Sequence, residues 1–169
     1  MRNPRALSII FTSVMAAIPA LANDTFPMGC FARDYSAEHL AAYPSQVVER
    51  LRLNFYRLED SAPDSLLYFN VIAMMADQGH AAQDGLGGNV MTETGFCNRP
   101  SGCGVEADGG TFEITQFDGD MIEFTTYHLR VGMNRGDDYD GVYSSLGETY
   151  DVETTYRLYA AQPEACSEF

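Results

Sequence analysis

The chain has 169 residues, with 10 arginines and no lysine against 24 aspartates and glutamates, and a formal net charge of −14. Charge of that sign and size disfavours polyanionic partners, both nucleic acid and anionic lipid surfaces, and favours a cation or a basic protein. The length suits one domain large enough to bury a core without depending on crosslinks to fold.

Residues 1–22 read as a secretory signal peptide. Arg2 and Arg5 form the positive start, Ala6 to Ile18 the apolar centre, and Ala20-Leu21-Ala22 the small-x-small cleavage site. The apolar centre is too short to span a bilayer. Cleavage near Ala22 leaves residues 23–169 as a single secreted domain, in the periplasm or outside the cell. The signal takes two arginines and no acid, so that domain carries 8 − 24 = −16. Cys30 follows Pro27-Met28-Gly29 and stands apart from the apolar centre, which is not the setting of a lipidated cysteine. Leu66 to Ala76 is the strongest later apolar run, and it is too short for a membrane span.

Ser36 caps a short helix that Pro44 forbids from extending past Tyr43. From Val47 the period becomes two: Leu51, Leu53 and Phe55 alternate with Arg50, Arg52 and Asn54, which predicts a half-buried strand. A turn follows at Glu59–Asp64, then a strand over Leu66–Met75 and a glycine-rich loop over Gln78–Asn89. Val90–Cys97 and Cys103–Ala107 read as short strands, Asp108-Gly-Gly110 as a tight turn. Thr111–Phe117 and Met121–Val131 form a hairpin around Asp118-Gly-Asp120. Gly132–Gly147 reads as a long loop. Tyr150–Tyr159 reads as a closing strand with Val152, Tyr156 and Leu158 inward. Short strands with turn chemistry between them predict an all-β domain, a small antiparallel barrel or sandwich with a short N-terminal helix.

Four cysteines in an exported chain point to two disulfides, with three possible connectivities. Cys97 and Cys103 flank a turn-forming linker, and Cys30 and Cys166 sit near the two ends of the secreted domain. The favoured pairing is therefore Cys97–Cys103 with Cys30–Cys166. No C-x-x-C pair occurs, which argues against structural zinc.

No constellation names a reaction. His39, His80 and His128 are scattered over a helix, a loop and a strand; His128, between Tyr127 and Leu129, is the most constrained and a binding candidate. No G-x-S-x-G occurs. Carboxylates are too plentiful for any pair to single out a glycosidase, which needs two across one sugar-sized cleft. Asp137, Asp138 and Asp140 before Gly141 suggest calcium. Setting Gly141 at the sixth position of an EF-hand loop, however, puts Gly136 first and Gly147 last, where carboxylates are required. Calcium therefore stays a candidate for flexible oxygen ligands only, and no cofactor is expected. Arg135-Gly136-Asp137 spells an adhesion tripeptide that recurs by chance. Arg50 and Arg52 are candidates for an anion, against the simpler expectation that they pair with surface acids.

The opening Cys30-Phe-Ala-Arg33-Asp-Tyr35-Ser-Ala-Glu-His39-Leu40-Ala-Ala-Tyr-Pro44-Ser-Gln46-Val-Val48 and the later Cys103-Gly-Val105-Glu106-Ala-Asp108-Gly109-Gly110-Thr-Phe112 resemble a group of small exported proteobacterial proteins with no assigned activity. The resemblance implies an exported all-β domain and lends no functional role to any residue.

The leading expectation is a non-catalytic acidic binding protein for a basic macromolecular partner. One concrete form is an inhibitor of a cell-wall hydrolase such as lysozyme; several such inhibitors are small, exported and β-rich. The alternatives are a barrel holding a small ligand or calcium, with Phe55, Phe69, Phe112, Phe124 and Tyr156 around a cavity, and an envelope-sugar hydrolase.

Overall fold

Alternation of buried and half-buried residues builds the frame of the structure. The computed structural model describes residues 26–58, 66–98, 102–133 and 141–167. The signal segment, the expected turn at Glu59–Asp64, the adhesion tripeptide and the acidic run Asp137, Asp138 and Asp140 lie outside them. The chain runs β1 (Gly29–Asp34), α1 (Ala37–Ala42), β2 (Val48–Tyr56), β3 (Leu67–Met75), α2 (Gly79–Gln83), β4 (Val90–Cys97), β5 (Gly102–Gly104), β6 (Gly110–Phe117), β7 (Met121–Met133), β8 (Val142–Ser145), β9 (Thr154–Ala161) and a final 3-10 turn, Pro163–Cys166.

The sheet order is β6-β5-β4-β3-β2-β1-β9-β7-β8, and a further pairing of β6 with β7 closes it into an antiparallel barrel with β8 outside the ring. Closure leaves only β8 and the loops to manage an open edge. Of the barrel and the sandwich expected, the all-β barrel is what forms, with the two expected disulfides: Cys30 joins Cys166 and Cys97 joins Cys103. Among the described residues no helix is long and apolar enough to cross a membrane.

Inward positions fill the barrel. Leu51, Leu53 and Phe55 on β2, Phe69 and Val71 on β3, Phe112 on β6, Phe124 on β7 and Tyr156 and Leu158 on β9 are all buried. Each large side chain withdrawn from water contributes about 1.5–3 kcal/mol. The rings touch in series: Phe55–Phe112 at 6.5 Å between centroids, Phe69–Phe112 at 5.0 Å, Phe112–Phe124 at 4.9 Å and Phe124–Tyr156 at 5.5 Å. The five residues expected around a cavity therefore pack on one another. Gly95 faces Phe69 across the β3–β4 ladder, where a Cβ would run into the Phe69 ring and the Gly104 carbonyl. The missing side chain on β4 is what lets that ring lie across the strand.

Five segments differ from expectation. The strand expected over Cys103–Ala107 ends at Gly104 as β5, and residues 106–109 turn the chain into β6. β1 has no period-two signature, because Cys30 and Phe31 are buried in succession. The glycine-rich loop contains the five-residue α2. The stretch expected as one loop from Gly132 includes the end of β7 and the whole of β8, held by pairings from Arg130↔Ser145 to Met133↔Val142. β9 starts only at Thr154, so Val152 is exposed in a turn closed by the Thr149↔Val152 bridge.

β7 is the longest strand and organises one end of the barrel. One edge pairs with β9 and then β8; the other pairs with β6 and then β4. From Thr111↔His128 to Glu113↔Thr125, β7 takes three residue steps against two on β6. That extra residue is a bulge, and it turns Tyr127 and His128 outward together between buried Thr126 and Leu129.

Candidate functional site

The bulge, β8 and the loop that follows it frame a cleft of about 510 Å³. Tyr127 and His128 come from the bulge, Ser144 and Ser145 from β8, Gly147 to Asp151 from the loop, and His80 and Asp84 from α2. The loop is fastened on every side. Leu146 N–H donates to Leu129 O (2.8 Å), and the buried Tyr156 hydroxyl donates to Leu146 O (2.8 Å). Glu148 N–H donates to Thr154 Oγ1 (2.9 Å), and His80 Nε2 donates to Gly147 O (3.1 Å). That bond fixes the hydrogen on His80 Nε2 and leaves Nδ1 facing Asp84 at 3.9 Å.

His128 Nδ1 lies 3.0 Å from Ser145 Oγ, which itself accepts the Gly147 N–H. The Ser145 hydroxyl can donate to His128 Nδ1 or accept from it, according to which ring nitrogen carries the hydrogen. This is the geometry of a nucleophile and its base, but among the described residues nothing orients the other ring nitrogen, and the nearest N–H is already engaged. The pair anchors the loop.

Glu148 stands between this cleft and a smaller one, about 200 Å³, lined by Arg33, Tyr35, His39, Tyr43 and Gln46 among others. Burial raises its carboxyl above the ordinary glutamate range, opposed by the Ser45 hydroxyl and by His39 and His80. Ser45 Oγ donates to Glu148 Oε2 at 3.3 Å. On the far side the His39 ring lies between those of Tyr35 (4.9 Å between centroids) and Tyr43 (4.6 Å), tilted by 32° and 30°. Gln46 Nε2 donates to Val48 O, so its Oε1 must accept from His39 Nε2 at 2.9 Å. Burial pushes the Tyr35 hydroxyl up to about 12.

The sequence candidates fall in different places. His128 lines the cleft; His39 and His80, scattered along the chain, converge on Glu148 from two helices. Arg52 lies elsewhere, ion-paired to Asp34 (2.6 Å) and donating to the carbonyls of Arg33, Leu51 and Ala165. It clasps β1, β2 and the C-terminal turn together. Arg50 lies 3.9 Å from Glu49. Among the described residues no group of three or more metal-ligating side chains gathers.

No protein family, curated protein or solved structure matches this chain. The site must speak through its chemistry. Three carboxylates, Asp84, Glu148 and Asp151, line one cleft with two exposed tyrosines, Tyr127 (60 %) and Tyr150 (90 %). Asp151 adopts φ +57°, a left-handed conformation that aspartate tolerates, at the tip of the turn that holds Tyr150 in solvent. Neither Tyr127, Tyr150, Asp84 nor Glu148 stood out in the sequence, because their proximity depends on barrel closure.

Proposed function

We propose that this protein is an exported, non-catalytic binding module that engages a basic macromolecular partner at the cleft beside the β7 bulge. The observation that carries this reading is an almost fully exposed tyrosine, at the turn closed by the Thr149↔Val152 bridge, in the lining of a cleft that also includes carboxylates, on a strongly acidic chain. Exposed aromatic faces and carboxylates together suit cationic groups. The charge of the whole molecule steers a basic protein toward them and makes association salt-sensitive. Two disulfides suit an oxidising compartment. The concrete form is a cell-wall hydrolase such as a lysozyme, held or inhibited by this face.

The test is calorimetric titration of the mature, oxidised protein into a panel of basic proteins that includes lysozymes, at low and at physiological salt, with hydrolase activity read in parallel. Binding in the micromolar range or tighter, weakened by salt, is expected. Absence of binding to every basic protein at micromolar concentration in low salt overturns the reading.

A second reading draws on the same carboxyls. A glycosidase needs one acid held protonated and another ionised in one cleft, and the raised Glu148 shares its cleft with Asp84 and Asp151. Turnover of a cell-wall oligosaccharide that is lost in both Glu148→Gln and Asp84→Asn would select it. A small-ligand barrel has less support, since the interior rings contact one another.

A further inference from the structure

The two disulfides stand in different relations to the closed sheet. Cys30 lies on β1, which is laddered on both sides, Cys30↔Asn54 to β2 and Cys30↔Ala161 to β9. Its partner Cys166 ends the 3-10 turn, where the Ala165 carbonyl also accepts from Arg52 Nε (3.1 Å). That bridge ties the terminal turn to the ring but closes no gap in it.

Cys97–Cys103 lies in the ring itself. β4 meets β7 directly at Thr92↔Gly132, and from there towards Cys97 the space between them is filled by β6 and the three-residue β5. β5 pairs with β4 through Phe96↔Gly104 and Cys97↔Cys103, and with β6 through Gly102↔Glu113, Cys103↔Phe112 and Gly104↔Thr111. Its sequence is Gly102-Cys103-Gly104, so its one side chain is the buried Cys103. Glycine loses the most chain freedom on folding and packs nothing in return, which leaves β5 dependent on its ladder and its bridge. The neighbours on either side are secured without it. β4 keeps its ladder to β3 from Leu67↔Cys97 to Met74↔Val90. The turn before β6 is held by Arg130, whose N–H donates to Gly109 O (2.8 Å) and whose Nη1 lies 2.8 Å from Asp108 Oδ1.

We propose that Cys97–Cys103 is a redox latch on the barrel seam: reduction by a dithiol releases β5 and opens the ring between β4 and β6, while the other strands stay paired. A thiolate of the reductant attacks one sulfur of the bridge and forms a mixed disulfide, and the other cysteine leaves as a thiolate. The reductant's second thiol resolves the mixed disulfide, so the protein gains two thiols and the dithiol departs as its own disulfide. Opening bares the facing edges of β4 and β6 and uncovers Phe112, the partner of Cys103 on β6.

The experiment is amide hydrogen exchange by NMR on the mature, oxidised protein, on Cys97→Ala/Cys103→Ala and on wild type titrated with dithiothreitol, with differential alkylation reporting which cysteines are reduced. The quantity read is exchange at Asn98, Gly102–Gly104 and Thr111–Glu113 relative to β2 and β3. It should rise about tenfold or more in the variant. Wild type should match it at the dithiothreitol concentration that frees Cys97 and Cys103, and recover on reoxidation. In Cys30→Ala/Cys166→Ala the ratio should keep its wild-type value. An unchanged ratio in the variant without the seam bridge, or a like rise in the variant without the terminal bridge, overturns the proposal. So does release of Cys97 and Cys103 only with loss of shift dispersion throughout the molecule. The dithiothreitol arm keeps both sulfurs in place and decides the matter should the alanine variant not fold.

Discussion

Removing the two disulfides one at a time should give losses set by the length of chain each encloses. Cys30–Cys166 spans 136 residues and Cys97–Cys103 spans 6. A crosslink removes from the unfolded chain an entropy that grows with the logarithm of the enclosed loop. At 25 °C this gives about 5 kcal/mol for the long loop and about 2 kcal/mol for the short one. Both cysteines of the short bridge are buried whereas Cys166 is only half-buried, so packing lost with the short bridge offsets part of that difference. The assay is urea unfolding of Cys30→Ala/Cys166→Ala and Cys97→Ala/Cys103→Ala without reductant. It is followed by tyrosine fluorescence, since the chain has no tryptophan. The long-loop variant should lose more stability, by up to about 3 kcal/mol, and show the steeper denaturant dependence, because its unfolded chain expands more. An equal loss, or a larger one from the short loop, would show that these bridges do not act through loop closure.

Three further outcomes are expected. Phe112→Ala removes the ring that touches Phe55, Phe69 and Phe124, and should cost about 3–5 kcal/mol in the same unfolding assay, whereas Phe117→Ala, only half-buried, should cost less. Tyr156→Phe leaves the Leu146 carbonyl without its donor; a loss of about 1–3 kcal/mol and faster amide exchange at residues 145–149 are expected. Glu148 is faced by His39 on α1, His80 on α2, Ser45, Tyr35 and Tyr156. Burial raises its folded acid above the unfolded one, so the folded state holds its proton more tightly, and its ionisation destabilises the fold as pH rises through that range. The stability of Glu148→Gln relative to wild type should therefore increase from pH 4 to pH 7. A flat or falling difference in paired melts across that range would contradict this assignment.

Much of the frame was legible in the sequence because amphipathic strands advertise themselves. Leu51, Leu53 and Phe55 alternate cleanly, and Ser36 with Pro44 brackets α1, where Ser36 Oγ accepts the His39 N–H at 3.2 Å. β1 and β8 gave no such signal. The first buries adjacent residues, and the second, Val142-Tyr-Ser-Ser, is defined by its register against β7 rather than by its own composition. The bulge did leave a trace. Apolar or buried positions run Ile122, Phe124, Thr126 and then skip to Leu129 and Val131, a slip of one in an otherwise regular period. That slip marks where Tyr127 and His128 face out together. The rest of the site was illegible for a physical reason: Asp84, Glu148 and Tyr150 become neighbours only when α2 and the loop after β8 are laid against the same end of β7.

The closed sheet also dictates an order of events. β1 finds one neighbour, β2, within a few tens of residues, but its other neighbour is β9, through pairings such as Phe31↔Ala160. A chain that emerges from its N-terminus must keep that edge of β1 unpaired until nearly all of it has been released. The ring then closes in a late, non-local step of the kind that makes β-barrels slow to fold. Until that moment a strand edge and an apolar face stand open together, and this is the interval in which the protein is most exposed to aggregation.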